Sequence, residues 1–127
     1  MTMERPTVVL LDDSEICLEV AGDALEAAGM KVVTANSGLG ASRLLAATRP
    51  SCVVIDVSMP ALSGDKLVEI IRRSLVREVP IILHSDRPIG ELRGIAKTCG
   101  ANGAVAKTPD CRTLVDEVRR WVREGPR

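Results

Sequence analysis

Val8-Val9-Leu10-Leu11 runs without a break into Asp12-Asp13, and the same pattern returns three more times along the chain. Cys52-Val53-Val54-Ile55 runs into Asp56, Ile81-Ile82-Leu83-His84 into Ser85, and Ala104-Val105-Ala106 into Lys107. Short unbroken apolar runs of this kind read as strands of a parallel sheet covered on both faces. Ligands of such sheets bind beyond the carboxyl ends of the strands. Three carboxylates, a hydroxyl and an ammonium, far apart in sequence, are therefore expected to meet along one rim.

Between these runs the apolar spacing changes to a helical period. The first helix is predicted over about 14–28, capped by Ser14 and ended by Gly29. Ile16, Val20, Ala24 and Leu25 are expected to form its inward stripe, with Glu15, Glu19, Asp23 and Glu26 on a solvated face. Lys31 to Ala35 reads as an outer strand. Ser37 is expected to open a second helix that turns Leu44 and Leu45 inward and reaches about Thr48, with Pro50 as its stop. Leu67, Val68, Ile71 and Leu75 keep a third helical period. Pro80 starts the next strand. Pro88 suits the first turn of a fourth helix ending near Gly100, and a short strand follows at about 103–107. Asp110 is expected to cap a last helix with Leu114, Val115, Val118, Trp121 and Val122 inward. Five strand–helix repeats predict a doubly wound α/β sheet with right-handed crossovers. With no linker, internal repeat or low-complexity tract, residues 1–127 are expected to form one domain with no room for a second.

Composition narrows the classes further. Hydrophobic residues make up 46% of the chain and charged residues 27%, the balance of a globular protein. Basic and acidic residues number 17 each, so no overall field draws the chain to nucleic acid or an anionic membrane. Met1 to Pro6 lacks a signal-like apolar stretch and nothing approaches a membrane span, so a cytoplasmic location is expected. Cys17, Cys52, Cys99 and Cys111 form no C-x-x-C pair and no metal spacing with the lone His84, and read as small apolar filler. Phe and Tyr are absent and Trp121 stands alone, so the core must be aliphatic.

The rim residues suggest a chemistry. Adjacent carboxylates resist joint ionisation unless a cation lies between them. Oxygen donors without imidazole or thiolate favour a hard ion, most simply Mg²⁺. An extended backbone points Asp12 and Asp13 apart, so one is expected to bind the ion directly and the other through water. Asp56 can act as metal ligand or as a nucleophile forming an acyl phosphate. Lys107 and Ser85 can hold phosphoryl oxygens, while Asp86 finds no role. Each has a plain alternative: Asp13-Ser14 as a helix cap, Ser85 as the cap of the fourth helix, Lys107 as an ion pair with Asp12 or Asp56. Those alternatives leave the coincidence of five such residues at four strand ends unexplained.

Taken together, Leu11-Asp12-Asp13-Ser14, Ile55-Asp56-Val57-Ser58-Met59-Pro60 with Gly64, Pro80 through Ser85, and Lys107 with Pro109 resemble the receiver domain of two-component response regulators. The resemblance spans essentially the whole chain and implies a flavodoxin-like five-stranded sheet of order 2-1-3-4-5. It implies that Asp56 is the phosphoacceptor, served by a sensor histidine kinase or histidine phosphotransfer protein. It also implies Mg²⁺ on Asp12, Asp13, Asp56 and the Ser58 backbone carbonyl, with Ser85 and Lys107 gripping the phosphoryl group. Ser58 and Arg87 fall where side chains of the family tune acyl-phosphate hydrolysis. Three positions depart from the pattern. Thr108 separates Lys107 from Pro109, Asp86 replaces a small residue, and Ala104 stands where the family has Tyr or Phe. That ring normally swings inward as the hydroxyl residue moves toward phosphate.

The expected function is thus a stand-alone receiver that signals by binding a downstream protein near the fourth and fifth helices, where Arg119, Arg120 and Arg123 could face it. A homodimer through the fourth helix, fifth strand and fifth helix is conceivable, and no enzymatic turnover is expected beyond Mg²⁺-dependent self-phosphotransfer and autodephosphorylation. Ala104 and Asp86 motivate a rival, a receiver-shaped interaction module that works without phosphorylation. A phosphatase of the haloacid-dehalogenase type ranks third, because it needs Asp-x-Asp after the first strand, and here Asp12 and Asp13 are adjacent.

Overall fold

In the computed structural model, residues 5–60, 62–75 and 78–124 are described, so most of the segment read for a leader, Met1–Pro6, lies outside them. The element order is β1 (Thr7–Leu11), α1 (Glu15–Ala27), β2 (Lys31–Ala35), α2 (Ala41–Thr48), β3 (Cys52–Ile55), α3 (Gly64–Ser74), β4 (Ile81–Ser85), α4 (Ile89–Cys99), β5 (Gly103–Ala106) and α5 (Arg112–Glu124). All strand pairs are parallel, in the order β2-β1-β3-β4-β5. This is the expected doubly wound α/β sheet.

The two-residue period of a strand divides each apolar run between two cores. Val9, Leu11, Val53, Ile55, Ile81 and Leu83 face Leu45, Leu67, Ile71 and Leu92 of α2, α3 and α4. Val8, Leu10, Val54, Ile82 and Val105 face Leu18, Leu25, Leu114 and Val118 of α1 and α5. Burial on both sides is why the central runs contain no polar residue until their last positions.

Two helices differ from expectation. In α1 the buried stripe is Leu18, Ala21, Gly22 and Leu25, whereas Ile16 is 74% and Val20 42% exposed. Gly22 faces the sheet, where an added Cβ would meet Val32 at an ordinary contact distance of 3.9 Å. Glu15, Glu19, Asp23 and Glu26 are solvated as expected. The second helix begins at Ala41 rather than Ser37, because Ser37 Oγ accepts the Leu39 N–H in a preceding turn and Gly40, at φ 76°, makes the entry. Asp110 Oδ1 does accept the N–H of Arg112 at the head of α5. Ser85 does not cap α4, whose N-cap is Pro88.

At the end of the sheet where the strands begin, Arg72 ties three elements together. Its guanidinium donates to the Val79 carbonyl at 2.7 Å, the Gly100 carbonyl at 3.2 Å and Asn102 Oδ1 at 2.6 Å. Asn102 Oδ1 also accepts the Ile81 N–H at 2.8 Å. Among the described residues, no helix is long and apolar enough to cross a membrane.

Candidate functional site

The strand register assembles the site. Leu11 pairs with Ile55, and the ladder continues one step further: the Asp56 N–H donates to the Leu11 carbonyl at 2.9 Å, and the Asp12 N–H to Ala35 at 3.2 Å. Asp12 and Asp56 therefore leave adjacent strands side by side. On the other flank Ser85 pairs with Ala106, and the Lys107 N–H donates to the Ser85 carbonyl at 2.8 Å. All five rim residues predicted from the sequence thus stand at the carboxyl ends of β1, β3, β4 and β5.

Lys107 is the hub. Its Nζ lies 2.8 Å from Asp12 Oδ2 and 3.5 Å from Asp56 Oδ2, with all three side chains largely buried. Asp12 Oδ1 accepts the Ser14 N–H at 2.9 Å, and Ser14 Oγ in turn caps α1 through the Cys17 N–H. Asp56 Oδ1 accepts the Ser58 N–H at 3.1 Å. Gly64 closes the same loop: its N–H donates to the Val57 carbonyl, and a Cβ there would fall on the Asp56 carbonyl, so no other residue fits. Ser85 is buried, with its Oγ accepting the Arg87 N–H at 3.4 Å. Asp13, Ser58 and Asp86 are exposed.

These contacts set the charge states. Burial pushes the Asp56 carboxyl above its ordinary range, the Ser58 N–H pulls it back, and the Asp12 charge raises it again against Lys107. Burial alone would lower Lys107, but the Asp12 hydrogen bond and the Asp12 and Asp56 charges raise it well above its usual value. It is an ammonium at any physiological pH. His84, one residue before Ser85, is depressed to about 4, first by burial and then by the Lys107 charge.

One lysine does not balance three carboxylates. Oxygens of Asp12, Asp13 and Asp56 lie within 4.8 Å of one another. A compact, all-oxygen, net-negative donor set of this kind fits a hard divalent ion such as Mg²⁺.

Sequence reading missed one neighbour. Cys17, taken as filler, stands one turn into α1 with its Sγ 3.5 Å from Lys107 Nζ. Its position three residues after Ser14, on the turn facing the rim, was the available signal. Ala104, where the family has Tyr or Phe, is half-buried and helps to line a cavity of about 580 Å³ together with Arg93, Gly103 and Glu117.

Residues 8–119 match the model of the response regulator receiver domain family. The chain is 30% identical over 122 residues to the transcriptional regulatory protein AfsQ1 of Streptomyces coelicolor, covering 96% of this chain and 53% of that protein. It is 30% identical over 118 residues to the transcriptional regulatory protein PrrA of Mycobacterium tuberculosis, covering 93% and 50%. It therefore spans about half the length of these relatives. Among solved structures, the chemotaxis response regulator CheY4 of Vibrio cholerae superposes with a TM-score of 0.82 at 27% identity, over 92% of this chain and 98% of that one.

Proposed function

The chain belongs to the response regulator receiver domain family, and on that premise we propose that Asp56 accepts a phosphoryl group from a sensor histidine kinase or a histidine phosphotransfer protein. The observation that carries this reading is Lys107 Nζ spanning Asp12 and Asp56 at a buried rim, beside a three-carboxylate cluster. Asp56 supplies the attacking oxygen. The new P–O bond forms as the donor's P–N bond breaks, and the released imidazole takes up a proton. Asp12, Asp13, Asp56 and the Ser58 backbone carbonyl would hold Mg²⁺. When bound, the ion offsets the negative charge of the carboxylates and the incoming phosphoryl group. Lys107 gives a fixed point charge to one phosphoryl oxygen, and Ser85 donates its hydroxyl to another. Its contact with the Arg87 N–H occupies a lone pair of Oγ, so the hydroxyl proton can be donated alongside it.

The output is a protein–protein interaction, with the docking face near α4, β5 and α5. The test uses acetyl phosphate and Mg²⁺ with intact-mass detection. Wild type gains one phosphoryl group, and Asp56→Asn gains none. Equal labelling of both proteins, or none in wild type under conditions that label a control receiver, defeats the reading.

The cavity beside Ala104 favours a second reading, a receiver-like module whose partner binding ignores phosphorylation. Without a ring at 104, the usual link between the rim and the α4–β5–α5 face is missing. Full activity of Asp56→Asn in the cell is the result that would select it.

A further inference from the structure

Asn102 stands at the head of β5 and is followed by Gly103. With no Cβ to hinder it, a glycine nitrogen is the main-chain nitrogen best able to attack a preceding asparagine's side-chain amide. The chain holds one other asparagine, Asn36, which is followed by serine. The two also differ in how the fold grips them. Asn36 uses its amide nitrogen, donating to Glu15 Oε1 at 3.1 Å. Asn102 uses its oxygen: Oδ1 accepts from Arg72 Nη2 at 2.6 Å and from the Ile81 N–H at 2.8 Å.

Two donors on one carbonyl oxygen, one of them cationic, stabilise the negative charge that a nucleophile creates there. The attacking nitrogen is left available. The Asn102 N–H points inward, donating to the Ile81 carbonyl at 2.7 Å. Alternation along the strand therefore turns the Gly103 N–H outward, and β5 is the last strand of the sheet on that side. Asn102 and Gly103 are half-buried and both line the cavity of about 580 Å³, so water reaches them. We propose that Asn102 is a self-modification site at which the chain converts asparagine to aspartate, with Arg72 and the Ile81 N–H holding the reacting carbonyl oxygen.

The Gly103 nitrogen forms a bond to Asn102 Cγ, and charge gathers on Oδ1 between its two donors. The Cγ–Nδ2 bond then breaks, and Nδ2 leaves as ammonia with the proton that the Gly103 nitrogen gives up. The product is a five-membered imide. Water opens it by adding to one of two ring carbonyl carbons; the bond from that carbon to nitrogen breaks, and the nitrogen recovers a proton. The sum is one water consumed and one ammonia released, with no oxidation. Addition at the main-chain carbon gives isoaspartate, whereas addition at Cγ gives ordinary aspartate. Arg72 and Ile81 polarise the Cγ carbonyl, so they direct the opening to aspartate. Because both existing bonds fall on Oδ1, a carboxylate keeps them and adds an ion pair with Arg72. The conversion thus reinforces the junction of α3, β4 and β5, and it does not depend on phosphorylation of Asp56.

The experiment incubates the folded, full chain at neutral pH beside the urea-unfolded chain. Peptide mapping follows the mass gain of amide-to-acid exchange and separates aspartate from isoaspartate. In the folded chain Asn102 is expected to convert about tenfold faster than in the unfolded chain, and faster than Asn36, with aspartate in excess. In the unfolded chain isoaspartate should exceed aspartate. Arg72→Lys keeps the charge without the planar fork and should shift the product toward isoaspartate. Mere loosening of the fold changes the rate but cannot favour aspartate, so this ratio reads Arg72 separately from stability. Slower conversion in the folded chain, isoaspartate in excess there, or an unchanged ratio in Arg72→Lys overturns the proposal. Asn102→Asp installs the product and is expected to raise the urea midpoint above that of freshly prepared wild type; a lower midpoint overturns it as well.

Discussion

At neutral pH the His84 ring is an uncharged occupant of the sheet, and acid exposes what that costs. Its value of about 4 in the fold lies below the ordinary 6.5, so between those limits the unfolded chain takes a proton that the native chain refuses. Stability is therefore lost as pH falls from 6.5 toward 4, by up to about 3 kcal/mol, and none of this loss occurs above 7. Urea unfolding at pH 7 and pH 4.5 should show wild type losing more than His84→Leu, since the carboxylates titrate in both. Equal losses would remove His84 from the account. Residues at this scale were the most legible in the sequence, because an apolar run that must stop at water announces the polar residue on which it stops. Cys17 escaped because its place one turn after Ser14 is a weak signal, and its meaning comes from Lys107, 90 positions away.

Among the elements, strands were easier to read than helices. A run such as Ile81–Leu83 has no polar alternative to its burial, whereas α1 offers two apolar stripes. Bulk favours Ile16 and Val20, but the helix turns Leu18, Ala21 and Leu25 inward instead and leaves Ile16 and Val20 to solvent. Ser37 misled for a different reason, since a hydroxyl that can cap a helix can equally close a turn. The Arg72 junction was invisible, because its partners are backbone carbonyls and Asn102, none with a sequence signal. Arg72→Ala should cost about 2–3 kcal/mol, measured as a lower urea midpoint, by stranding those acceptors. Because the junction stands at the opposite end of the strands from Asp56, phosphoryl gain by the folded variant should be unchanged. Arg72→Lys, lacking the planar fork, should recover only part of the stability.

For the molecule as a whole, the acidic rim stores unfavourable charge that a divalent ion would relieve. Mg²⁺ at ten times its dissociation constant should add about 1.4 kcal/mol to unfolding stability. The gain should shrink in Asp56→Asn and in Asp13→Asn, with calorimetric melting as the measurement. No rise in wild type would mean that the carboxylate cluster does not hold the ion in solution. The architecture followed from strand–helix alternation alone, while the strand order came from likeness to a family, since the alternation does not say which strand lies beside which.

β1 and β3 also decide where such a molecule is able to move. Both are hydrogen-bonded on two sides and roofed by helices above and below, so their amides should be among the last to exchange with deuterium. Asp12 and Asp56 are rooted in that slowest-breathing stratum. A phosphoryl group accepted at Asp56, as proposed, would be inscribed on bedrock, and the connecting loops above it would be the parts freest to change shape.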